Sequence, residues 1–130
     1  MQSNYSVVIE KFAERHFIKN FKKKYGSHWD TTLRAIIAEL ERIDMLINTN
    51  RADSIIEHDK IKIIKTEFRV AQTKYSARAS GNRCIVVWNE DKRLVSVLLV
   101  YNKTDLSGHN ETEEWKKIIR DNYEEYRKLL

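Results

Sequence analysis

Lys65, Glu67 and Arg69 alternate along one stretch of the chain. Alternate residues of an extended strand share a face, so a cation, a carboxylate and a second cation would project together. Such a set is costly to bury, so it must be solvated, paired or used. Taken alone, it describes a solvated edge strand laced by charge pairs. Two later stretches add to it. Arg83 opens the apolar run RCIVVW, and Tyr101 and Lys103 close the run that begins at Leu94. Between them, the polar stretch from Ala71 to Asn82 contributes Lys74, Tyr75 and Arg78. Polar groups at the ends of otherwise apolar strands point to a rim where a sheet opens to a ligand.

Other chemistries find little support. There is no glycine-rich phosphate loop, no pair of cysteines at zinc spacing and no HExxH. His16, His28, His58 and His109 lie too far apart in sequence to build a metal site, and no metal is expected. His16 falls on the apolar stripe of a helix, where a packed, hydrogen-bonded histidine is expected. Cys84, inside an apolar run, reads as a small core residue rather than a nucleophile. As the one cysteine it forms no disulfide within the chain, which fits a reducing compartment.

Net charge is +5, from 24 Lys and Arg against 19 Asp and Glu. A basic chain suits polyanionic partners, because its cations release phosphate counterions; evenly spread charge on a merely soluble protein is the alternative. No apolar segment is long enough to span a bilayer and the first residues lack the pattern of a signal peptide, so a cytoplasmic protein is expected. At 130 residues the chain suits one domain, spanning residues 1–130. The absence of proline argues against a stiff linker.

The elements that must position these residues follow from periodicity. Tyr5 to Ile9 is β-branched and reads as an edge strand. Phe12, His16, Phe17, Phe21 and Tyr25 form a helical stripe that Gly26 stops. A second helix from Ser27 carries Trp29, Leu33, Ile36, Leu40, Ile43 and Ile47 on one face, ending at Asn48 to Asn50. The two helices read as a hairpin covering a sheet. The stretch from Arg51 to Lys60 carries no readable pattern. Ile61 to Val70 switches to period two, with Ile64, Thr66, Phe68 and Val70 opposite the charged set. Arg83 to Trp88 and Leu94 to Tyr101 form a hairpin around Asn89 to Lys92, and their continuous apolarity places them centrally. Residues 71–82 and Ser107 to Asn110 read as loops. From Glu111 a last helix turns Trp115, Ile118, Ile119, Tyr123 and Tyr126 inward. The fold class is α+β: a small, mostly antiparallel sheet with an N-terminal helical hairpin and a C-terminal helix.

Gly81-Asn82-Arg83, the strand to Trp88, a short turn, Leu94 to Tyr101, then Lys103, Asp105 and Leu106 resemble the C-terminal half of the RelE/ParE toxin superfamily. Members commonly open a strand with glycine, another residue and arginine. In a RelE/HigB-like branch the partner strand ends in tyrosine, any residue and lysine, before a terminal helix rich in Glu and Lys. The strand and two helices at the N-terminus match the superfamily's order, so the resemblance covers nearly the whole chain as architecture.

That resemblance implies the toxin of a toxin–antitoxin pair, a RelE-like fold and a cognate antitoxin as partner. It implies cleavage of messenger RNA, usually on the ribosome, with no metal or other cofactor and with the RNA's own 2′-hydroxyl attacking. The reaction needs a base, cations for the phosphate and an acid for the departing oxygen. By motif position Arg83 would hold the phosphate, and Lys103 sits where the family places a basic residue. Tyr101 would stack on a base or donate a proton. Glu67, chosen for its face and neighbours, would be the general base. Lys65, Arg69, Lys74 and Arg78 would contact RNA. Two other readings stand beside this one: a ParE-like gyrase inhibitor, which needs no base or acid, and a basic RNA-binding domain whose catalytic residues have drifted.

Overall fold

The computed structural model describes residues 4–106 and 110–130. From the N-terminus, β1 (Ser6–Ile9) leads into α1 (Lys11–Ala13), a π turn (Glu14–Ile18) and α2 (Lys19–Tyr25). Gly26, at φ +58°, turns the chain into α3 (Ser27–Glu41), followed by the single turn α4 (Ile43–Leu46). Next come β2 (Ala52–His58), β3 (Ile61–Glu67), the short α5 (Ala77–Ser80), β4 (Asn82–Asn89) and β5 (Leu94–Asn102). A 3-10 turn (Lys103–Asp105), α6 (Glu111–Asn122) and a 3-10 segment (Glu124–Leu129) complete the chain.

The five strands lie in the order β1-β5-β4-β3-β2, with β1 parallel to β5 and every other pair antiparallel. The apolar runs of β4 and β5 are explained by their neighbours, since helices cover both faces of the sheet. On one face Phe21, Trp29, Ile36 and Leu40 pack against Ile64, Val86 and Val97. On the other, Trp115, Ile119 and Tyr123 pack against Ile63, Ile85 and Leu99. A bulge in β5 sets Leu98 and Leu99 both into this second core. The hydroxyl of Tyr123 donates to the Leu98 carbonyl at 2.7 Å, so the bulged residue's acceptor is not stranded.

Several sequence expectations shift. The unreadable stretch at 51–60 is an edge strand, β2, whose alternation is broken by a bulge at Ile55, so that Ile55 and Ile56 both pack against the second core. β3 stops at Glu67, and Arg69 therefore lies beyond the strand rather than on its charged face. The expected loop at 71–82 contains α5. The second helix breaks at Arg42 (φ −117°, ψ 44°), leaving Ile43 in a separate turn. The π turn inserts a residue into the first helix and rotates its stripe. Ala13 and Ile18 are buried as a result, and His16 is exposed with its ring 4.6 Å from that of Phe12 rather than enclosed. Tyr126 falls in the terminal 3-10 segment. Of the loop expected from Ser107, residues 107–109 lie outside the described residues, while the Asn110 side chain accepts from the Glu113 amide and caps α6.

α6 is held mainly by Trp115 and Ile119, both fully enclosed. Trp115→Ala is expected to lower unfolding free energy by about 3–5 kcal/mol in a denaturant titration. A loss below about 1 kcal/mol would mean that α6 is not docked as described.

Candidate functional site

The end of the sheet where β3 and β5 finish and β4 begins is built around one glycine. The Ser76 hydroxyl accepts from the Ala79 amide at 3.1 Å and caps α5, which then ends at Gly81 with φ +78°. A Cβ on Gly81 would lie 3.0 Å from Lys103 Cγ, so the missing side chain also makes room for the Lys103 stem. The Lys103 amide donates to the Gly81 carbonyl at 2.8 Å, and Asn102 Nδ2 donates to the Ser80 carbonyl at 2.9 Å. These bonds tie α5 and the strand ends together.

Register then places Glu67, Arg83 and Tyr101 side by side across β3, β4 and β5, on the face that α6 covers. Arg83 Nη2 lies 3.3 Å from Glu67 Oε2, and both side chains are only 9% exposed. Arg83 Nε lies 3.9 Å from Glu111 Oε2, and Nη1 donates to the Asn82 carbonyl at 3.1 Å. Arg78 closes the outer side, its Nε 3.6 Å from Glu67 Oε1. The Tyr101 hydroxyl donates to Glu111 at 2.6 Å. Two guanidiniums thus face two carboxylates, with Arg83 and Glu67 enclosed and Arg78 and Glu111 toward solvent. Arg83 Nε makes no hydrogen bond among the described residues, its approach to Glu111 being electrostatic only.

Burial pushes the Tyr101 hydroxyl well above the ordinary tyrosine range, and the hydrogen bond and charge of Glu111 push it further. It is a fixed donor, and its ring, 1% exposed, offers no face on which a base could stack. Burial likewise pushes the Cys84 thiol up to about 12, so no thiolate nucleophile is available there.

Of the residues singled out in the sequence, Glu67, Arg83, Tyr101 and Arg78 come together. Lys103 is exposed at the same sheet end with its stem over Gly81. Lys65 is half-buried one alternation back along β3, opposite Ile85. Arg69 and Lys74 are exposed past the strand end, and neither forms an ion pair among the described residues. Among those residues no three His, Cys, Asp or Glu side chains gather as metal ligands. Glu111 was not foreseen. An acidic residue in the first turn of a helix ordinarily complements the helix dipole, so nothing in the sequence separates it from Glu113 or Glu114.

The tyrosine chemistry has a consequence for stability. Tyr101 is harder to deprotonate folded than unfolded, where its pKa is about 10. Its contribution is complete below about pH 10 and is lost as pH rises toward the folded value. Unfolding midpoints measured from about pH 9 upward should fall less steeply for Tyr101→Phe than for the parent. Parallel curves would contradict the enclosure of this hydroxyl.

No family model matches the sequence, and no curated protein matches it either. Among solved structures, a chain of the archaeal RelE–RelB complex from Pyrococcus horikoshii OT3 matches with a TM-score of 0.54 at 13% identity, over 76% of this chain and 94% of that one. The shared feature at such identity is the fold. The chain has a RelE-like α+β fold, and its buried Glu67–Arg83 pair lies at the end of that fold's sheet.

Proposed function

We propose that the whole chain is one RelE/ParE-like domain, the toxin of a toxin–antitoxin pair, and that it cleaves messenger RNA on the ribosome through the RNA's own 2′-hydroxyl. The observation that carries this reading is the Glu67–Arg83 pair at the sheet end of a RelE-like fold, with exposed Arg78 against it and exposed Arg69, Lys74 and Lys103 in the segments that follow β3 and β5. Exposed cations beside a buried arginine suit a phosphodiester chain.

The proposed chemistry uses these residues in turn. Glu111 is the replaceable partner of Arg83: its side chain is 30% exposed and it makes no hydrogen bond to Nε. An RNA phosphate entering here exchanges one anion for another, so the buried guanidinium is never left uncompensated. Its Nε, free of other acceptors, takes a phosphate oxygen. Glu67 accepts the 2′-hydroxyl proton while the 2′ oxygen bonds to phosphorus. Charge grows on the phosphate against a guanidinium already fixed by Asn82 and Glu67, so little reorganisation is needed. The bond to the 5′ oxygen breaks, leaving a 2′,3′-cyclic phosphate and a 5′-hydroxyl. Tyr101, which bonds Glu111 before RNA enters, is not the acid, since its proton is held too tightly. The Lys103 ammonium is the better donor to the leaving oxygen. Lys65, Arg69, Lys74 and Arg78 follow the RNA backbone. The antitoxin is proposed to mask Arg83, Lys103 and the N-terminal helices with an acidic or amphipathic segment that orders on binding.

The test is a cleavage assay on translated messenger RNA. Cuts should leave 2′,3′-cyclic phosphate ends and should be blocked by a 2′-deoxy residue at the cut site. Arg83→Ala should slow them by on the order of a hundredfold or more. Cutting of the deoxy substrate would overturn the mechanism. Inhibition of gyrase supercoiling without cleavage would instead favour the ParE-like reading, and neither activity would favour a drifted domain, while undiminished cleavage by folded Arg83→Ala would remove this residue from the site.

A further inference from the structure

A cleft of about 420 Å³ opens on the face of the sheet opposite Arg83, between α2 and the strand ends. That volume lies within the roughly 300–1,000 Å³ of small-molecule sites. Its apolar wall is the pair Phe21 and Tyr25, whose rings stack 6.2 Å apart at 23°. Tyr75 stands at its edge, 65% exposed. Lys24 borders it with Nζ 5.3 Å from the Tyr25 ring centre.

The floor holds an amide oriented by its neighbours. Asn102 Oδ1 accepts from the Thr104 amide at 3.0 Å and from its hydroxyl at 2.7 Å. Its Nδ2 must therefore point the other way, where it donates to the Ser80 carbonyl and to Asn82 Oδ1, each at 2.9 Å. Asn82 is thereby set with its oxygen engaged and its Nδ2 without a partner among the described residues. The residue is only 4% exposed and lines the cleft, so a donor waits in a nearly enclosed position. Solvent in the cleft meets this donor, and a ligand acceptor there would take the solvent's place. Beside it Asp105 accepts from the Asn102 amide through Oδ2 at 3.0 Å and keeps Oδ1 for another donor.

We infer that this cleft receives a nucleobase of single-stranded RNA. A flat heteroaromatic ring satisfies the whole set: faces for the aromatic wall, a ring acceptor for Asn82 and an exocyclic amine for Asp105. Adenine, cytosine and guanine carry that combination and uracil does not. RNA rather than a free nucleotide is indicated by position. Asn82 and Arg83 are consecutive on β4, so the cleft and the ion cluster lie on opposite faces of one strand end, with exposed Lys74 and Lys103 nearby. A strand with one phosphate at Arg83 can cross the sheet end and seat a neighbouring base in the cleft. The inference therefore rests on the proposed function and adds a base-reading subsite to it.

Fluorescence anisotropy with labelled, uncleavable 2′-O-methyl decamers of adenylate, cytidylate and uridylate tests it. The parent protein should bind the first two more tightly than the third. Tyr75→Ala, at an exposed position, should weaken adenylate binding about tenfold or more, the scale of one lost stacking contact. Asn82→Asp retains an acceptor for Asn102 but turns the free donor into an acceptor, and should erase the preference over uridylate. Unchanged affinity and preference in both variants would overturn the cleft, while continued cleavage by the parent would leave the proposed function standing. Failure of the parent to bind any decamer would overturn the inference, and only the added absence of cleavage would remove the function as well. Saturation by mononucleotides at decamer concentrations would reassign the cleft to a free nucleotide and overturn the RNA assignment.

Discussion

A guanidinium and a carboxylate enclosed together at the end of β3 and β4 constrain everything around them. Each of Arg83 and Glu67 is the other's closest opposite charge, and removing either would leave a buried charge without its main partner. Arg78 supplies the fourth member from α5, and α5 reaches it because Gly81 ends that turn in a left-handed conformation. Glu111 comes from the first turn of α6, held in register by Tyr101. The helices and loops at this end are thus placed where they complete one charge balance. Removing a single partner from such a pair costs about 3–5 kcal/mol, yet replacing both by apolar residues is often neutral or stabilising. Stability alone gives little reason to keep these charges in a core otherwise filled with Ile, Leu, Val and Trp.

The sheet makes the same end two-sided. Helices cover both faces, so polar side chains at the strand termini divide by alternation: Arg83 and Tyr101 toward α6, Asn82 and Asn102 toward α2. One side carries the paired charges of Glu67, Arg83 and Glu111. The other carries a fully specified amide chain beside aromatic rings. Gly81 serves both, since its bonds and close approach to Lys103 hold the strand ends at the spacing each side needs.

The legible parts of the sequence were those whose local pattern survives any irregularity, as the continuous apolarity of β5 survives its bulge. The apolar runs of β4 and β5, the Gly26 stop and the stripe of α3 all carry their own periodicity. The charged face of Lys65 and Glu67 followed from period two, and pairing register then brought Arg83 and Tyr101 to the same face. Legibility failed where one inserted residue changed the phase. The Ile55 bulge concealed β2, and the π turn moved His16 off the buried stripe. Arg69 was misplaced because β3 ends at Glu67, a boundary that alternation does not mark. Glu111 and the Asn82–Asn102 pair escaped for another reason: their roles depend on contacts between segments distant in sequence, and their residue types fit ordinary caps and turns equally well.

On the proposed function, the Glu67–Arg83 pair is kept for chemistry rather than for stability. The most direct measurement is the double substitution Glu67→Leu with Arg83→Met, scored for both unfolding free energy and growth inhibition in cells. The double variant should fold, lie within about 1 kcal/mol of the parent or be more stable, and no longer inhibit growth. A protein that is equally stable and still fully toxic would contradict that reading.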